Sequence, residues 1–196
     1  MEEAVFVGQY TFLVTPQVFE EEERILGKIV RRNDKITFEG KKISNAVYRF
    51  KSGEETDLFV KLFSIAASRI RVIQENRHRA VLIPVPASTR AKHRTRYEAF
   101  CHRLSADMGV ADGYGAITVA YDRAQYKGTH GNEDRTANLE FHSEYFKDKC
   151  VLIIDDVITT GSTFLQLRRK LIEHGARFVI GLFLAKTIAF EDERKE

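Results

Sequence analysis

Two adjacent carboxylates followed by a turn of small hydroxyl residues carry the clearest chemical information in this sequence. Asp155 and Asp156 come directly after four apolar residues, and residues 159–163 are Thr-Thr-Gly-Ser-Thr. An ionised carboxylate only accepts hydrogen bonds, so a pair of them suits the two vicinal hydroxyls of a ribose. Hydroxyls and backbone N–H groups in a tight turn suit a phosphate group. The pattern therefore predicts a site for a sugar phosphate.

The residues around this pattern place it between a strand and a helix. Residues 151–154 are apolar without alternation, which is typical of a strand covered on both faces of a parallel sheet. A helical pattern begins at Phe164, so the turn offers free N–H groups and the positive end of the helix dipole. Gly161 allows a positive φ or a close approach to a ligand. The residues predicted to hold the phosphate are Val157, Ile158, Thr159, Thr160, Gly161, Ser162 and Thr163.

Two other interpretations explain less of the pattern. An ordinary strand–turn–helix with one hydroxyl at the N-cap accounts for a single Ser or Thr, but not for four, and it gives no reason for two acids. A phosphatase-type site with Asp155 as the nucleophile would need a second acid two residues later, where Val157 stands.

Strands and helices alternate along the rest of the chain. The patterns predict strands at 80–85, 117–121 and 178–185, and helices at 17–30, 58–75, 164–174 and from 88 or 94 to 108. A hairpin is predicted from two β-like runs at 35–38 and 46–50. This alternation predicts an α/β fold in which a mostly parallel sheet is flanked by helices. We expect one domain over residues 1–196.

A basic segment follows the strand predicted at 80–85. Positive charge in the first turn of a helix opposes the helix dipole, so it indicates a second anion site. Ser88, Thr89 and Arg90 are nearest the strand end and are the first candidates. A solvated basic face or a nucleic-acid surface is the alternative. The basic residues are Arg90, Lys92, His93, Arg94, Arg96, His102 and Arg103.

The run 151–163 resembles the phosphoribosyl-pyrophosphate (PRPP) motif of type I phosphoribosyltransferases at all thirteen positions. In that family the two acids hold the ribose 2′- and 3′-hydroxyls and the loop holds the 5′-phosphate. The resemblance implies the type I phosphoribosyltransferase fold, with a small N-terminal hood at 1–50, a core at 51–187 and a charged tail at 188–196. It implies that Mg²⁺ arrives with PRPP rather than on direct protein ligands, and that the second anion site, with Ser88, Thr89 and Arg90 as the first candidates, takes the pyrophosphate.

The same family has a flexible loop that closes over the site, and a similar segment precedes the motif here. Residues 123–136 are polar and contain two glycines, and Lys127, His130 and Arg135 are the candidate residues. Closure of such a loop would exclude water from the reaction. The end of the last predicted strand is similar to that of purine phosphoribosyltransferases, where a lysine contacts the base, so Lys186 is a base-side candidate.

A finer resemblance is to the ComF-like branch, a phosphoribosyltransferase-like group linked to DNA uptake in bacteria. It covers about residues 46–187 and rests on Pro84-Val85-Pro86, on Arg135-x-x-Asn138 before Phe141, and on the PRPP motif. Two features depart from that branch. The four-cysteine zinc ribbon is missing, and the Arg-Gly-Phe-Asn-Gln signature appears only as Arg96-Tyr97-Glu98-Ala99.

Composition narrows the remaining classes. The chain is 43% hydrophobic and 30% charged with a net charge of +3, and no apolar run approaches the length of a membrane span. The acidic start and the two widely separated cysteines favour a cytoplasmic protein. We expect no membrane partner, do not favour nucleic acid, and leave a homodimer possible.

Together these features predict transfer of the 5-phosphoribosyl group from PRPP to a nitrogenous base or amine, with release of pyrophosphate. Asp155 and Asp156 are the predicted catalytic residues. One alternative is a PRPP- or nucleotide-sensing regulator without catalysis, and another is a ComF-type DNA-uptake accessory. The acceptor is not specified by the sequence.

Overall fold

The strand that carries the two acids, β10 (Cys150–Ile158), lies inside a mostly parallel sheet. The computed structural model describes residues 4–7, 10–13, 23–26, 28–32, 35–36, 38–120 and 134–190. β10 pairs in parallel with β6 (Ala80–Pro84) on one side and with β11 (Phe178–Phe190) on the other. Residues 150–154 are fully buried, as expected for a strand covered on both faces.

Shorter strands extend the sheet on both sides. β11 pairs in parallel with β3 (Glu23–Ile25) and β4 (Lys28–Arg32), and β4 pairs antiparallel with β5 (Lys35–Ile36). On the other side, β6 pairs in parallel with β7 (Ala111–Asp112). The described strands therefore follow the order β5-β4-β11-β10-β6-β7.

Helices cover both faces of the sheet. Three of them, α1 (Phe38–Lys51), α2 (Thr56–Ala67) and α4 (Arg90–Met108), pack over the face of β10 that carries Leu152 and Ile154. The opposite face, with Val151 and Ile153, is covered by α5 (Ser162–Glu173). The α/β class with a mostly parallel sheet flanked by helices is thus confirmed.

Two small antiparallel sheets lie outside the central one. β1 (Ala4–Val7) pairs with β2 (Tyr10–Leu13), and β8 (Ile117–Val119) pairs with β9 (Leu139–Phe141). Within the described ranges, none of the helices combines the length and the hydropathy needed to cross a membrane. The boundaries of the hood, core and tail stay predictions.

Three predicted elements differ from the structure. The helix predicted at 17–30 is wrong, because β3 and β4 occupy that region and pair with β11. The hairpin predicted at 35–50 is wrong, because α1 runs from Phe38 to Lys51. Ala46, Val47 and Phe50 are buried at helical spacing, so packing outweighs the β-propensity of that segment.

The single helix predicted at 58–75 is divided. α2 ends at Ala67, Ile70 adopts an extended backbone, and α3 (Arg71–Glu75) is a separate short helix. The side chain of Gln74 donates a hydrogen bond to the carbonyl of Ala67 at 3.1 Å, which stabilises the break by satisfying a carbonyl at the helix end.

Candidate functional site

A pocket of about 130 Å³ lies between the carboxyl end of β10 and the first turn of α5. This is the edge at which open parallel sheets bind ligands. Asp155 and all seven residues from 157 to 163 line it, together with Arg135 from a distant segment. The remaining lining residues are Val85, Phe164 and Phe183.

The turn of the pocket is built around Gly161. Gly161 has φ 79° and ψ −7°, the left-handed region that a residue with Cβ adopts only with strain, and it stands at the N-cap of α5. The first N–H groups of a helix have no partner within it, and glycine has no side chain that could cap them. The hydroxyl oxygens of Thr160 and Ser162 are 2.9 Å apart. Polar groups therefore converge on the turn. The turn can hold an anion.

Asp155 brings a carboxylate to the same pocket. Its Oδ1 accepts hydrogen bonds from the Tyr97 hydroxyl and from the Asp156 backbone N–H, both at 2.7 Å. Burial and the neighbouring charge of Asp156 raise the pKa of Asp155 from 3.8 to about 7. The Tyr97 bond acts in the opposite direction and is weaker than burial. At neutral pH both the neutral and the ionised form of Asp155 are therefore populated.

Asp156 lies on the other side of the strand. It is 4% exposed, and the pocket lining does not include it. One of its oxygens accepts a hydrogen bond from the guanidinium of Arg96, and the other lies 3.3 Å from Nζ of Lys51. The structure thus brings one of the two predicted acids into the pocket and places the other against α4 and α1.

Two of the three residues of the predicted second anion site, Thr89 and Arg90, bond to neighbouring groups of the protein. The Thr89 hydroxyl accepts a hydrogen bond from the Lys92 N–H at 3.2 Å and caps α4. The Arg90 guanidinium donates to the carbonyls of Val119 at 3.1 Å and Ala120 at 3.2 Å. Ser88 is exposed. These three residues do not line the pocket.

Of the predicted loop residues, one reaches the pocket. Nη1 of Arg135 donates to Oγ1 of Thr163 at 3.2 Å, and the Arg135 N–H donates to the side chain of Gln166 at 2.9 Å. Arg135 therefore adds a positive charge beside the turn. Lys127 and His130 lie outside the described residues. Lys186 pairs in register with Ile158, so its backbone adjoins the pocket although its side chain is not part of the lining.

Sequence reasoning missed the partners of the two acids. Arg96 belongs to the basic segment, and Arg96-Tyr97 begins the altered ComF signature, but the sequence pattern indicated no role for either residue at the acids. Lys51 could not be found, because its segment was predicted as a hairpin. Among the described residues, no group of three or more His, Cys, Asp and Glu side chains is arranged to hold a metal ion.

Comparisons with known proteins give low similarity. No protein-family model matches the sequence, and no curated protein matches it at a significant level. An adenine phosphoribosyltransferase structure has 14% identity and a TM-score of 0.43, covering 69% of this chain and 78% of that chain. The adenine phosphoribosyltransferase of Thermoanaerobacter pseudethanolicus has 16% identity and a TM-score of 0.38, covering 69% and 81%. A hypothetical protein from Neisseria gonorrhoeae with bound ppGpp has 14% identity and a TM-score of 0.42, covering 69% and 81%. Similarity at this level supports no functional inference.

Proposed function

We propose that this protein binds PRPP and transfers its 5-phosphoribosyl group to a nitrogenous base or amine, releasing pyrophosphate. One observation carries the proposal: Asp155 and the turn 159–163 line the same pocket. The Asp155 carboxylate can accept a hydrogen bond from a ribose hydroxyl, and the turn beside it is of the size that a phosphate needs. Together they match the two ends of a ribose 5-phosphate. The resemblance of residues 151–163 to the PRPP motif supports the same ligand.

The turn and Arg135 would bind the 5′-phosphate. Backbone N–H groups at the start of α5 and the helix dipole favour a negative charge there. The hydroxyls of Thr159, Thr160 and Thr163 add donors at the lining of the pocket. Arg135, already bonded to Thr163, can turn its planar guanidinium to a phosphate oxygen in the same pocket.

Asp155 would accept a hydrogen bond from a ribose hydroxyl. In its ionised form it also places a negative charge beside a sugar that becomes positive as the bond to pyrophosphate breaks. Catalysis would rest on positioning and charge stabilisation, and no covalent protein nucleophile is needed. The ionised fraction of Asp155 rises through pH 7, because its pKa is about 7.

Magnesium would come with the substrate. Mg²⁺ keeps several waters and is commonly held by substrate phosphates plus one or two carboxylates. Asp155 is the single carboxylate in the pocket lining, so the ion would be held by pyrophosphate oxygens rather than by direct protein ligands. Its chemistry would be to neutralise the charge of the leaving pyrophosphate.

The two remaining contacts are proposed on position alone. Ser88 and Thr89 lie between β6 and α4 and would meet the pyrophosphate. Arg90 would have to exchange its bonds to the carbonyls of Val119 and Ala120 for phosphate oxygens. Lys186 would meet the acceptor base from the end of β11.

The engagement of Arg90 favours a second candidate function. If Arg90 keeps its backbone partners, the leaving group lacks that cation, and the pocket would bind PRPP or a nucleotide without transfer. The protein would then be a regulator that senses the ligand. A DNA-uptake role rests on the ComF resemblance alone.

Pyrophosphate release separates these functions. The full-length protein is incubated with PRPP, Mg²⁺ and a panel of nucleobases and amines, and PRPP binding is measured separately by calorimetry. Release that depends on one acceptor, and that falls about 100-fold or more in Asp155→Asn, supports the transferase. Asp107→Asn, an exposed acid on α4, is the matched control and should behave like the unmodified protein. Binding without release for every acceptor supports a regulator that senses PRPP, and absence of PRPP binding overturns both the transferase and that PRPP-sensing regulator.

A further inference from the structure

A group of cations lies at the edge of the sheet opposite the pocket. The pocket is at the carboxyl end of β10, whereas these residues directly precede the amino ends of three neighbouring strands. Arg79 precedes β6, Lys149 precedes β10 and Arg177 precedes β11. We refer to residues 77–79, 147–149 and 177 as the basic edge. Its cationic side chains are Arg77, Arg79, Lys147, Lys149 and Arg177.

Strand pairing aligns three of these cations. The first residues of β6, β10 and β11 are direct partners in the parallel ladder. The N–H of Arg177 donates to the carbonyl of Lys149 at 2.9 Å, so the alignment extends one residue before β10 and β11. Neighbouring strands are about 4.8 Å apart, so the backbone positions of Arg79, Lys149 and Arg177 form a row about 10 Å long.

The other two cations are held beside this row by local packing. Lys147 lies against Gly175, where its Cγ would be 3.3 Å from an added Cβ, and Arg77 lies against Gly109, where its Cδ would be 3.5 Å from one. The N–H of Asp148 donates to the carbonyl of Gly175 at 2.8 Å, which fixes the segment before β10 to the segment before β11. The exposed residues of the basic edge are Arg77, His78, Arg79, Lys147, Asp148 and Arg177.

Acidic side chains do not balance these charges. Asp148 is the one acid within the basic edge. Between described residues, the ion pairs of the protein leave out Arg79, Lys149 and Arg177. Like charges about 5 Å apart repel one another, so the row is unfavourable for folding when no anion is bound. A bound polyanion would remove that repulsion.

Helix dipoles explain part of the group. Gly109 follows the end of α4 and Gly175 follows the end of α5, and cations are favourable near such ends. The helix ends nevertheless have backbone partners for their carbonyls: the N–H of Gly109 bonds the last turn of α4, and the N–H of Ala176 bonds the last turn of α5. A dipole also gives no reason for cations aligned across three strands.

We propose that the basic edge binds the phosphodiester backbone of a nucleic acid, at a site separate from the pocket. A nucleic-acid strand carries one charge per about 3.4 Å of its axis, so a row about 10 Å long spans about three phosphates. Three of the five cations are arginines, whose planar guanidinium bonds phosphate oxygens in pairs. The basic edge contains no large apolar side chain, which a membrane-inserting surface would use.

The charge of the whole chain does not indicate this surface. The net charge is only +3, and for that reason a nucleic-acid partner was not favoured from the sequence. The fold brings together cations from three separate segments of the chain at one edge of the sheet. Their local concentration, and not the sum over the chain, determines the attraction for a polyanion.

The first experiment measures binding of the full-length protein to labelled probes of about 20 nucleotides by fluorescence anisotropy. Single-stranded RNA, single-stranded DNA and duplex DNA distinguish the possible sources of the backbone. If Arg79, Lys147, Lys149 and Arg177 each contact one phosphate, log K should fall with log salt with a slope of about −2.8 for single strands and about −3.6 for a duplex. Affinity should then decrease about 50-fold and about 100-fold, respectively, between about 50 and 200 mM KCl.

The second experiment removes the row. The triple variant Arg79→Gln, Lys149→Gln and Arg177→Gln loses three phosphate contacts, so the slope for single strands should change to about −0.7. The matched control removes the same charge from exposed positions of α1 and α2 and should keep the original slope; it combines Lys41→Gln, Lys42→Gln and Lys61→Gln. If the triple variant does not fold, Arg177→Gln alone should give a slope of about −2.1.

A gain of affinity tests the same surface without weakening it. Asp148 has φ 59°, a conformation in which asparagine is one of the commonest residues, so Asp148→Asn preserves the backbone and removes the single negative charge. Affinity for the probes should rise about threefold or more at about 50 mM KCl, because one repulsive charge is lost. An unchanged or lower affinity contradicts binding at this edge.

The remaining outcomes are distinguishable. Equal losses in the triple variant and its lysine control overturn the assignment to the basic edge, and so does binding that does not depend on salt. Binding to vesicles of phosphatidylserine and phosphatidylcholine without binding to any probe overturns it in favour of a membrane. A lower Tm of the triple variant with unchanged probe binding leaves only the role at the helix ends. PRPP affinity should be unchanged in the triple variant, so the two sites are tested separately.

Discussion

Replacing Asp155 with asparagine should make the protein more stable at pH 8 although it removes the proposed ligand contact. The pKa of Asp155 is raised from 3.8 to about 7, because burial and the charge of Asp156 disfavour the ionised form. Between these two values the folded protein retains a proton that the unfolded chain has released. The contribution of Asp155 to the free energy of unfolding is therefore fully present below about pH 4 and is lost as the pH rises through 7.

The size of the effect follows from the shift in pKa. A difference of about three units corresponds to about 4 kcal/mol between the limits of low and high pH. From pH 5 to pH 8 the loss is about 3 kcal/mol, since part of the titration of the unfolded state is complete by pH 5. Asparagine has the same shape and carries no charge. Its amide oxygen can still accept from the Tyr97 hydroxyl and from the Asp156 N–H, which Asp155 holds at 2.7 Å.

Thermal or urea unfolding at pH 5 and pH 8 tests this reasoning. The difference in stability between Asp155→Asn and the unmodified protein should grow in favour of the variant by about 3 kcal/mol, or roughly 6–12 °C in Tm for a chain of this size. Other titrating groups are common to both proteins and cancel in the comparison. Asp107→Asn, on the exposed face of α4, should show no such change. Parallel pH profiles for the two proteins would mean that Asp155 ionises as an ordinary acid. That result would refute the raised pKa of Asp155.

Three further substitutions test the pocket and the packing beneath it. Gly161→Ala places a Cβ at φ 79°, which should cost about 1–2 kcal/mol in unfolding experiments and weaken PRPP binding in calorimetry. Arg135→Met should lower PRPP affinity about tenfold or more, with partial recovery in Arg135→Lys, because a charge-assisted bond to phosphate is lost; equal affinities would exclude Arg135 from the phosphate site. Gly181→Ala puts a Cβ within 2.5 Å of the Phe183 ring and 2.8 Å of the Phe164 ring, so unfolding should show a loss of about 1–3 kcal/mol from overpacking.

The phosphate end of the pocket was predictable because its determinants are local. Four apolar residues specify a buried strand, and a helical pattern from Phe164 places the turn at a helix start. Gly161 has the positive φ that its position suggested. Each of these features depends on a few neighbouring residues, so the sequence pattern and the structure agree over 151–164.

The partners of the acids depend on contacts between distant segments. Arg96 and Asp156 are separated by 60 positions, and Tyr97 and Asp155 by 58. No local pattern specifies such a pair; it follows from the position of α4 over the sheet. The role of Lys51 was still harder to predict from the sequence. The aromatic and β-branched residues of its segment indicate a strand, whereas their burial at helical spacing produces α1.

The position of the two acids within one strand also predicts something about their surroundings. Successive side chains of a regular strand point to opposite faces, so two adjacent acids are expected to have different surroundings. A pair of acids at the end of a strand therefore meets two environments, one at the ligand edge and one under the helices that cover the sheet. Here the buried environment supplies two cations for Asp156, whose charge in turn raises the pKa of Asp155. Asp156 can thus influence the pocket through Asp155, whose pKa is raised to about 7 by burial and by the charge of Asp156.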